Sequence, residues 1–320
     1  MKYLRVLIVA ALLLMLGVLV AGCGGSGTGN VVTPQAAGAK IAFDSDRTGG
    51  FYHIFVMGPN GGGLTDLNAS GAGATCGNAY PSWSPDHRRL VFTSNRTGHF
   101  EVYLMDFAGL NVKRVTFNAS LSGGIYEHPA WSPDGTKIVA SRYESDGSSH
   151  LYLFHPDGTH FLQLTTGTGM DYSPTWLPDS TGVVFASNRK NGYQIWAINN
   201  KGLNLHRLTL NGGNLNSDPA CAADVQRIVF NSARSGNWLL WTMKLDGTDP
   251  RVVPNTDQTY SSSHPSWGPA GTSITFDAAS VDAGVHHVFK INTDGSSLQP
   301  ITDFTKTSED ENPVWGRIAG

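Results

Sequence analysis

The apolar residues of this sequence fall into short runs that recur in a fixed order and are separated by polar turns. The runs are rich in β-branched and aromatic residues and are bounded by Gly, Asn, Asp and Pro, which is typical of β-strands joined by tight turns. After residue 40, no segment shows the sustained apolar period of a helix. The pattern therefore predicts an all-β fold.

The runs belong to a repeat of about 46 residues that occurs six times. Each unit contains a Pro-x-Trp element, a turn such as "SPDG", an apolar run, a polar link such as "SNRTG", a second apolar run and a Gly turn. This order predicts four short antiparallel strands per unit. The Pro-x-Trp elements begin at Pro81, Pro129, Pro174, Pro265 and Pro313, and a degenerate copy, "PAC", begins at Pro219.

The apolar runs show little alternation with polar residues, so both faces of each sheet are expected to be buried. In the run "LVF", Leu90 and Phe92 point to one face of the strand and Val91 to the other. Sheets that are covered on both sides by similar sheets form the ring of a β-propeller. We interpret the repeated Trp as a wedge between neighbouring blades rather than as a ligand-stacking residue.

The two ends of the repeat region complement each other. The region begins with "KIAFDS", which matches the second strand of a unit, and ends with "NPVWG", which matches a first strand. We predict that residues 40–320 form a six-bladed β-propeller of four-stranded antiparallel blades. The N- and C-terminal strands are expected to pair within one blade and close the ring, which removes an exposed strand edge.

The N-terminus reads as an export signal. Residues 1–22 combine a basic start with an uncharged apolar stretch that is too short for a membrane span. The string "LVAGC" resembles a bacterial lipobox, which implies that Cys23 is lipidated; an ordinary secretory signal and a short anchor are the alternatives. Residues 23–39 are predicted to be a Gly-rich tether. The resemblance implies an exported lipoprotein that faces the periplasm or the cell surface, in the outer membrane if the cell is Gram-negative.

The full repeat, from Pro-x-Trp-Ser-Pro-Asp-Gly through Ser-x-Arg-x-Gly to Asp-Gly and Arg-Leu-Thr, resembles the WD-like repeat of TolB β-propellers. The resemblance covers Lys40 to Trp315. It implies the fold and a role in the cell envelope. TolB proteins carry a separate domain before the propeller, whereas a short tether stands there in this sequence, so the role with the Tol-Pal system is not expected to carry over intact.

The residues that precede each Pro-x-Trp are polar and differ between repeats, although the packing positions repeat. In a propeller they lie at one mouth of the central channel, and His128 and His264, three blades apart, should face each other there. We read this mouth as a candidate ligand face; exposed polar loop ends and a divalent-metal site are the alternatives. The candidates are Tyr80, Glu127, His128, Asp171, Tyr172, Asp218, His264 and Glu311.

The arginines of the "SNRTG"-type links (Arg47, Arg96, Arg189 and Arg234) are expected to pin neighbouring loops through carboxylate or carbonyl contacts rather than to read an acidic ligand.

Our principal functional hypothesis is a non-catalytic, lipid-anchored binding module of the bacterial cell envelope. Its partner would be an envelope protein, a peptide or a glycan, and we assign no cofactor and no metal. The net charge of −3 with no basic block argues against nucleic acid. Serine-hydrolase, zinc-protease and phosphate-loop motifs do not occur in the sequence. The alternatives are a metal-assisted polysaccharide lyase or hydrolase that uses the channel mouth, and a structural spacer.

Overall fold

The computed structural model contains six four-stranded antiparallel sheets, which confirms the predicted all-β propeller. It describes residues 38–68, 71–117, 124–190, 192–210, 215–222, 224–256, 260–280, 284–303 and 307–318. Cys23, the signal segment and most of the predicted tether lie outside this description. We number the blades from the N-terminus and the four strands of each blade outward from the channel.

The strands have the following bounds. Blade 1 contains β24 (Asp310–Ile318), β1 (Gly38–Ser45), β2 (His53–Met57) and β3 (Thr65–Asp66). Blade 2 contains β4 (Asn78–Trp83), β5 (Arg89–Ser94), β6 (Glu101–Asp106) and β7 (Lys113–Arg114). Blade 3 contains β8 (Ile125–Trp131), β9 (Ile138–Tyr143), β10 (Ser149–Phe154) and β11 (Leu162–Gln163).

The second half of the ring repeats this order. Blade 4 contains β12 (Asp171–Trp176), β13 (Gly182–Ser187), β14 (Gln194–Asn199) and β15 (His206–Arg207). Blade 5 contains β16 (Asn216–Ala222), β17 (Arg227–Ser232), β18 (Leu239–Lys244) and β19 (Arg251–Val252). Blade 6 contains β20 (Tyr260–Trp267), β21 (Ser273–Ser280), β22 (His286–Asn292) and β23 (Gln299–Pro300). Short 3-10 turns span Gly71–Thr75 and Pro269–Gly271.

The hydrophobic core is divided into six clusters, and each cluster lies between two neighbouring blades. Leu90 and Phe92 pack against blade 1, whereas Val91 packs against blade 3, and all three side chains are fully buried. The expected burial of both faces of the strand is therefore confirmed. The sixth cluster joins blade 6 to blade 1 through Val288, Ile301, Ile41 and Phe43, so the packing is continuous around the ring.

The repeated tryptophans lie between blades, as the wedge interpretation predicted. Trp176 of blade 4 packs against blade 3, and its indole N–H donates to the Ala130 carbonyl at 3.0 Å. Trp83 and Trp267 make the same bond to the preceding blade. Each of these indoles thus combines apolar burial with a hydrogen bond to the inner strand of its neighbour.

Blade 1 is assembled from both ends of the described chain. Strand β24 pairs antiparallel with β1 from Gly38 with Ile318 to Ser45 with Asp310, which confirms the predicted closure. The strand begins two residues before the predicted boundary at residue 40, because Gly38 and Ala39 pair with Ile318 and Arg317.

The two faces of the ring differ in what they carry. We call "mouth end" the face with Ser45 and Asp310, where the first strands begin, and "turn end" the face with Gly38 and Ile318. The turns between first and second strands and between third and fourth strands share the turn end, where Phe107 N–H donates to the Arg88 carbonyl at 3.0 Å. Over the described residues, we find no helix with the length and apolar character needed to cross a membrane.

The wedge role of Trp176 predicts a graded loss of stability. Trp176→Ala should lower the free energy of unfolding by about 3–5 kcal/mol, because a buried aromatic side chain leaves a cavity. Trp176→Phe keeps most of the packing, loses the bond to Ala130 and should cost about 1–2 kcal/mol. Urea unfolding of both variants measures these values, and a similar small loss for both would contradict the wedge.

Candidate functional site

The first strand of every blade contains a β-bulge at the mouth end. The register with the second strand shifts at this point in all six blades. In each bulge the residue before the proline adopts the left-handed backbone conformation, with φ between 42° and 55°. We call these six residues the collar: Tyr80, His128, Ser173, Asp218, His264 and Asn312.

The collar conformation is uncommon for residues other than glycine, and it costs free energy at each position. Glycine would adopt it without that cost, yet every blade carries a side chain there. Backbone strain of this kind is often found at functional sites, and bulges often redirect a side chain next to them.

Collar residues from different blades contact one another. The rings of Tyr80 and His128 lie 4.0 Å apart between centroids, and the Ser173 hydroxyl donates to Asp218 at 2.7 Å. The imidazoles of His128 and His264 stack with centroids 6.3 Å apart, which confirms that they face each other. Because they extend from blades on opposite sides of the ring, these two rings constrict the channel at the level of the collar.

Two buried aspartates hold the collar backbone. Asp44 accepts a hydrogen bond from the N–H of Tyr80 at 3.0 Å, and Asp277 accepts one from the N–H of Asn312 at 3.2 Å. Each aspartate lies on the second strand of one blade and reaches the collar residue of the next blade. The Asn312 side chain also donates to Asp44 at 3.2 Å. These bonds fix the bulge geometry between blades.

Asp44 and Asp277 were not among the site residues predicted from the sequence. The available signal was a carboxylate inside an otherwise apolar second strand, in "IAFDS" and "ITFDA". A buried carboxyl group of this kind requires hydrogen-bond partners, so it marks a specific contact.

Asp277 forms the main ionic contact of the mouth. It accepts a hydrogen bond from His264 and one from His286, both at 2.8 Å. Burial opposes a charge on these imidazoles, but the nearby carboxylates outweigh it and raise the pKa of His264 to about 10 and that of His286 to about 8. Despite its burial, Asp277 has a lowered pKa because of the two histidines. The trio is therefore ionised at neutral pH.

Four other groups at the mouth have pKa values that are shifted toward the neutral form. Burial and the neighbouring His264 lower the pKa of His128 to about 3. Burial raises the pKa of Glu127 to about 7, and burial together with Asp277 raises that of Glu311 to about 7. Burial also raises the pKa of Tyr172. The mouth thus offers neutral phenols, one neutral imidazole and carboxylates that titrate near physiological pH.

The predicted site residues do not all reach the channel. Tyr80, His128, Asp218 and His264 belong to the collar, and Glu127, Tyr172 and Glu311 directly precede collar residues. Asp171 instead lies buried within blade 4, where it pairs with Arg189 and accepts a hydrogen bond from Ser187.

The link arginines are anchored inside their own blades, as predicted. Arg189 bonds Asp171 and lies over the rings of Phe185 and Trp196. Equivalent side-chain contacts join Arg47 to Asp310, Arg96 to Asn78 and Arg234 to Asn216. These guanidinium groups therefore tie the first strand to the link that follows the second.

The described residues give no support to the metal hypothesis. In the described ranges, no three His, Cys, Asp or Glu side chains are arranged to hold a metal ion. The mouth can act through hydrogen bonds, ring stacking and charge.

Comparisons with known proteins agree with the fold. The family profile of the TolB beta propeller domain matches residues 119–319. A protein TolB homolog of Chlorobium luteolum is 31% identical over 136 residues, which is 42% of this chain and 28% of that protein. A Tol-Pal system protein TolB of Anaeromyxobacter sp. is 29% identical over 93 residues, which is 29% of this chain and 20% of that protein. The match therefore spans under a third of either relative.

A solved TolB structure has the same fold. The crystal structure of TolB from Acinetobacter baumannii superposes with a TM-score of 0.69 and 20% sequence identity. The superposition covers 87% of this chain and 66% of that one. At this level of identity the likeness concerns the fold.

The contacts of Asp277 predict a pH-dependent stability. The folded-state pKa values of His264 and His286 lie above the ordinary value of 6.5. Their stabilising contribution is therefore full below about pH 6.5 and is lost as the pH rises through about 8 and then about 10. Asp277→Asn should destabilise the protein most at pH 6, and the difference from the wild type should shrink by pH 10.

Urea unfolding at pH 6, 8 and 10 measures this difference. Asp171→Asn is the matched control, because the buried Asp171 pairs with Arg189, whose guanidinium group stays charged throughout this pH range. The cost of this substitution should therefore be the same at pH 6 and at pH 10. A pH-independent effect of Asp277→Asn would contradict the ionic role.

Proposed function

This chain belongs to the TolB beta propeller domain family, and from that premise we propose that it is a non-catalytic, lipid-anchored binding module of the bacterial cell envelope. Its ligand face is the mouth end, and the collar is the centre of that face. The partner is an envelope protein, a peptide or a glycan. The Anaeromyxobacter relative is a Tol-Pal system protein, which supports a partner in the envelope.

The observation that carries this proposal is the preorganised collar. Six residues in the left-handed conformation project five types of side chain at equivalent positions, and hydrogen bonds from the preceding blade hold the backbone at Tyr80 and Asn312. A rigid surface loses little conformational entropy on binding. Tyr80 of the collar and Tyr172 beside it are of the type that contributes strongly to binding surfaces.

The non-catalytic part of the proposal rests on how the polar groups of the mouth are used. Asp218 accepts hydrogen bonds from the side chains of Ser173 and Asn231, and His264 donates one to Asp277. These contacts position side chains for recognition. We therefore propose recognition for these groups in place of a metal-assisted lyase or hydrolase activity.

Cross-linking at the mouth tests the ligand face. Replacing Tyr80 with p-benzoylphenylalanine should give covalent adducts after irradiation of intact cells, because the substituted ring stays in the collar. The same photoreactive residue at Asp246, on the turn end, should give none. Mass spectrometry identifies the adduct.

Binding of that identified partner can then be measured with purified variants. The combined variant His128→Ala, Asp218→Asn, His264→Ala should bind it at least about tenfold more weakly, the loss expected for removing several central contacts. The combined control Asp134→Asn, Asp246→Asn on the turn end should bind normally. Unchanged binding by a correctly folded collar variant would exclude the mouth.

The anchor makes a separate prediction. Mass spectrometry of the mature protein should find Cys23 as an acylated N-terminal residue, and Cys23→Ala should release the protein from the membrane fraction. A mature chain that begins at another residue, or an unmodified Cys23, would refute lipid anchoring. Neither result would affect the proposal for the ligand face.

A further inference from the structure

We infer that the outer hairpins of blades 1–4 rest on the lipid bilayer, with the mouth end turned away from it. This inference rests on the anchoring part of the proposed function and adds a second membrane contact and an orientation. The outer hairpins are the turns between third and fourth strands, at the turn end.

The outer hairpins expose large apolar side chains at equivalent positions. The third residue after the turn glycine is Leu64, Val112, Phe161 and Leu205 in blades 1 to 4, and these side chains are 37–44% exposed. The first residue after the glycine adds Leu110 and Leu203, which are 45% and 60% exposed. Four consecutive blades thus expose apolar side chains along one arc of the rim.

The fold itself does not require this exposure. In blade 6 the first position is Ser296, and the third is Leu298, which packs against the core between blades 5 and 6. In blade 5 these positions are Thr248 and Pro250. The same hairpin therefore forms without an exposed Leu, Val or Phe at these positions, so folding alone does not explain the apolar arc on blades 1–4.

The position of the tether indicates that the lipid bilayer covers the apolar arc. The described chain starts at Gly38, at the turn end of blade 1, and blade 1 also carries Leu64 at one end of the arc. Cys23 precedes Gly38 by 15 residues, which span at most about 50 Å when extended. An acylated Cys23 therefore keeps the turn end within reach of the bilayer, whereas a second copy has no such constraint.

The composition of the arc fits a membrane interface. Leu and Phe side chains insert between headgroups and acyl chains, and neighbouring Lys side chains contact anionic headgroups. Lys113 and Lys201, on the hairpins of blades 2 and 4, are exposed beside Val112 and Leu203. One acyl chain alone gives only marginal membrane binding, so a second contact strengthens the attachment.

Hydroxyl-radical footprinting of the acylated full chain tests this orientation. The protein is reconstituted into phosphatidylcholine–phosphatidylglycerol vesicles, with a protease site inserted between Gly29 and Asn30. Oxidation is compared between the anchored protein and the protein that has been cut free and separated from the vesicles. Oxidation of Leu110, Phe161 and Leu203 should fall by about threefold or more in the anchored state.

Phe117 and Leu210 are the matched controls. They are 58% and 67% exposed and follow the outer strands of blades 2 and 4 at their other ends, toward the mouth. Their oxidation should be the same in both states. Introducing Leu110→Ser with Leu203→Ser, the residue of blade 6 at that position, should restore oxidation of Phe161 in the anchored protein.

Each other outcome overturns the inference. Equal oxidation of the hairpins in both states would show that they do not contact lipid, and shielding of Phe117 and Leu210 would show the opposite orientation. Shielding of the hairpins in the free protein that rises with its concentration would identify a second copy as the occupant. If Cys23 is acylated and the hairpins stay oxidised, this inference fails alone; an unmodified Cys23 removes the anchor and this inference together.

Discussion

The structure depends on the burial of both faces of every sheet. Each blade contributes one side of its second strand to the cluster before it and the other side to the cluster after it, as Leu90 and Val91 do in blade 2. A blade taken alone would expose two apolar faces to water. The fold is therefore stable only as a closed ring, and pairing of β24 with β1 supplies the closure.

The burial of both sheet faces also explains why the residue type at the collar position can differ between blades. The packing positions must repeat, because every blade meets two similar neighbours, whereas the bulge residues face the channel and share no such requirement. The ring in turn supports the unfavourable backbone of the bulges. Asp44 and Asp277 reach across to the next collar residue, so the geometry of the mouth is maintained by the same contacts between blades that close the ring.

Much of the fold could be predicted from the sequence. In a repeat protein, the position of a residue within its repeat indicates its blade and its place in that blade. Six units place His128 and His264 on opposite sides of the channel, whatever the details of the strands. The bulge could not be predicted, since a register shift leaves little trace in the apolar pattern. Asp171 lies before the bulge, at the position where Asn78 and Asp310 also contact the link arginine of their blades, and it is therefore inside blade 4 beside Arg189. Asp44 and Asp277 were missed for a different reason: their role exists only once neighbouring blades are in contact.

Closure by terminal strands also separates the two faces of the ring. Because β24 and β1 pair antiparallel along their length, Gly38 and Ile318 must lie side by side, and the pairing places both at the turn end. The collar lies at the other face, near the beginning of the first strands. In the proposed arrangement, the tether therefore joins the ring at Gly38, on the face opposite the collar, and the rings of His128 and His264 narrow the channel between the two faces. The pairing that completes the fold thus places Gly38 and Ile318 away from the proposed ligand face.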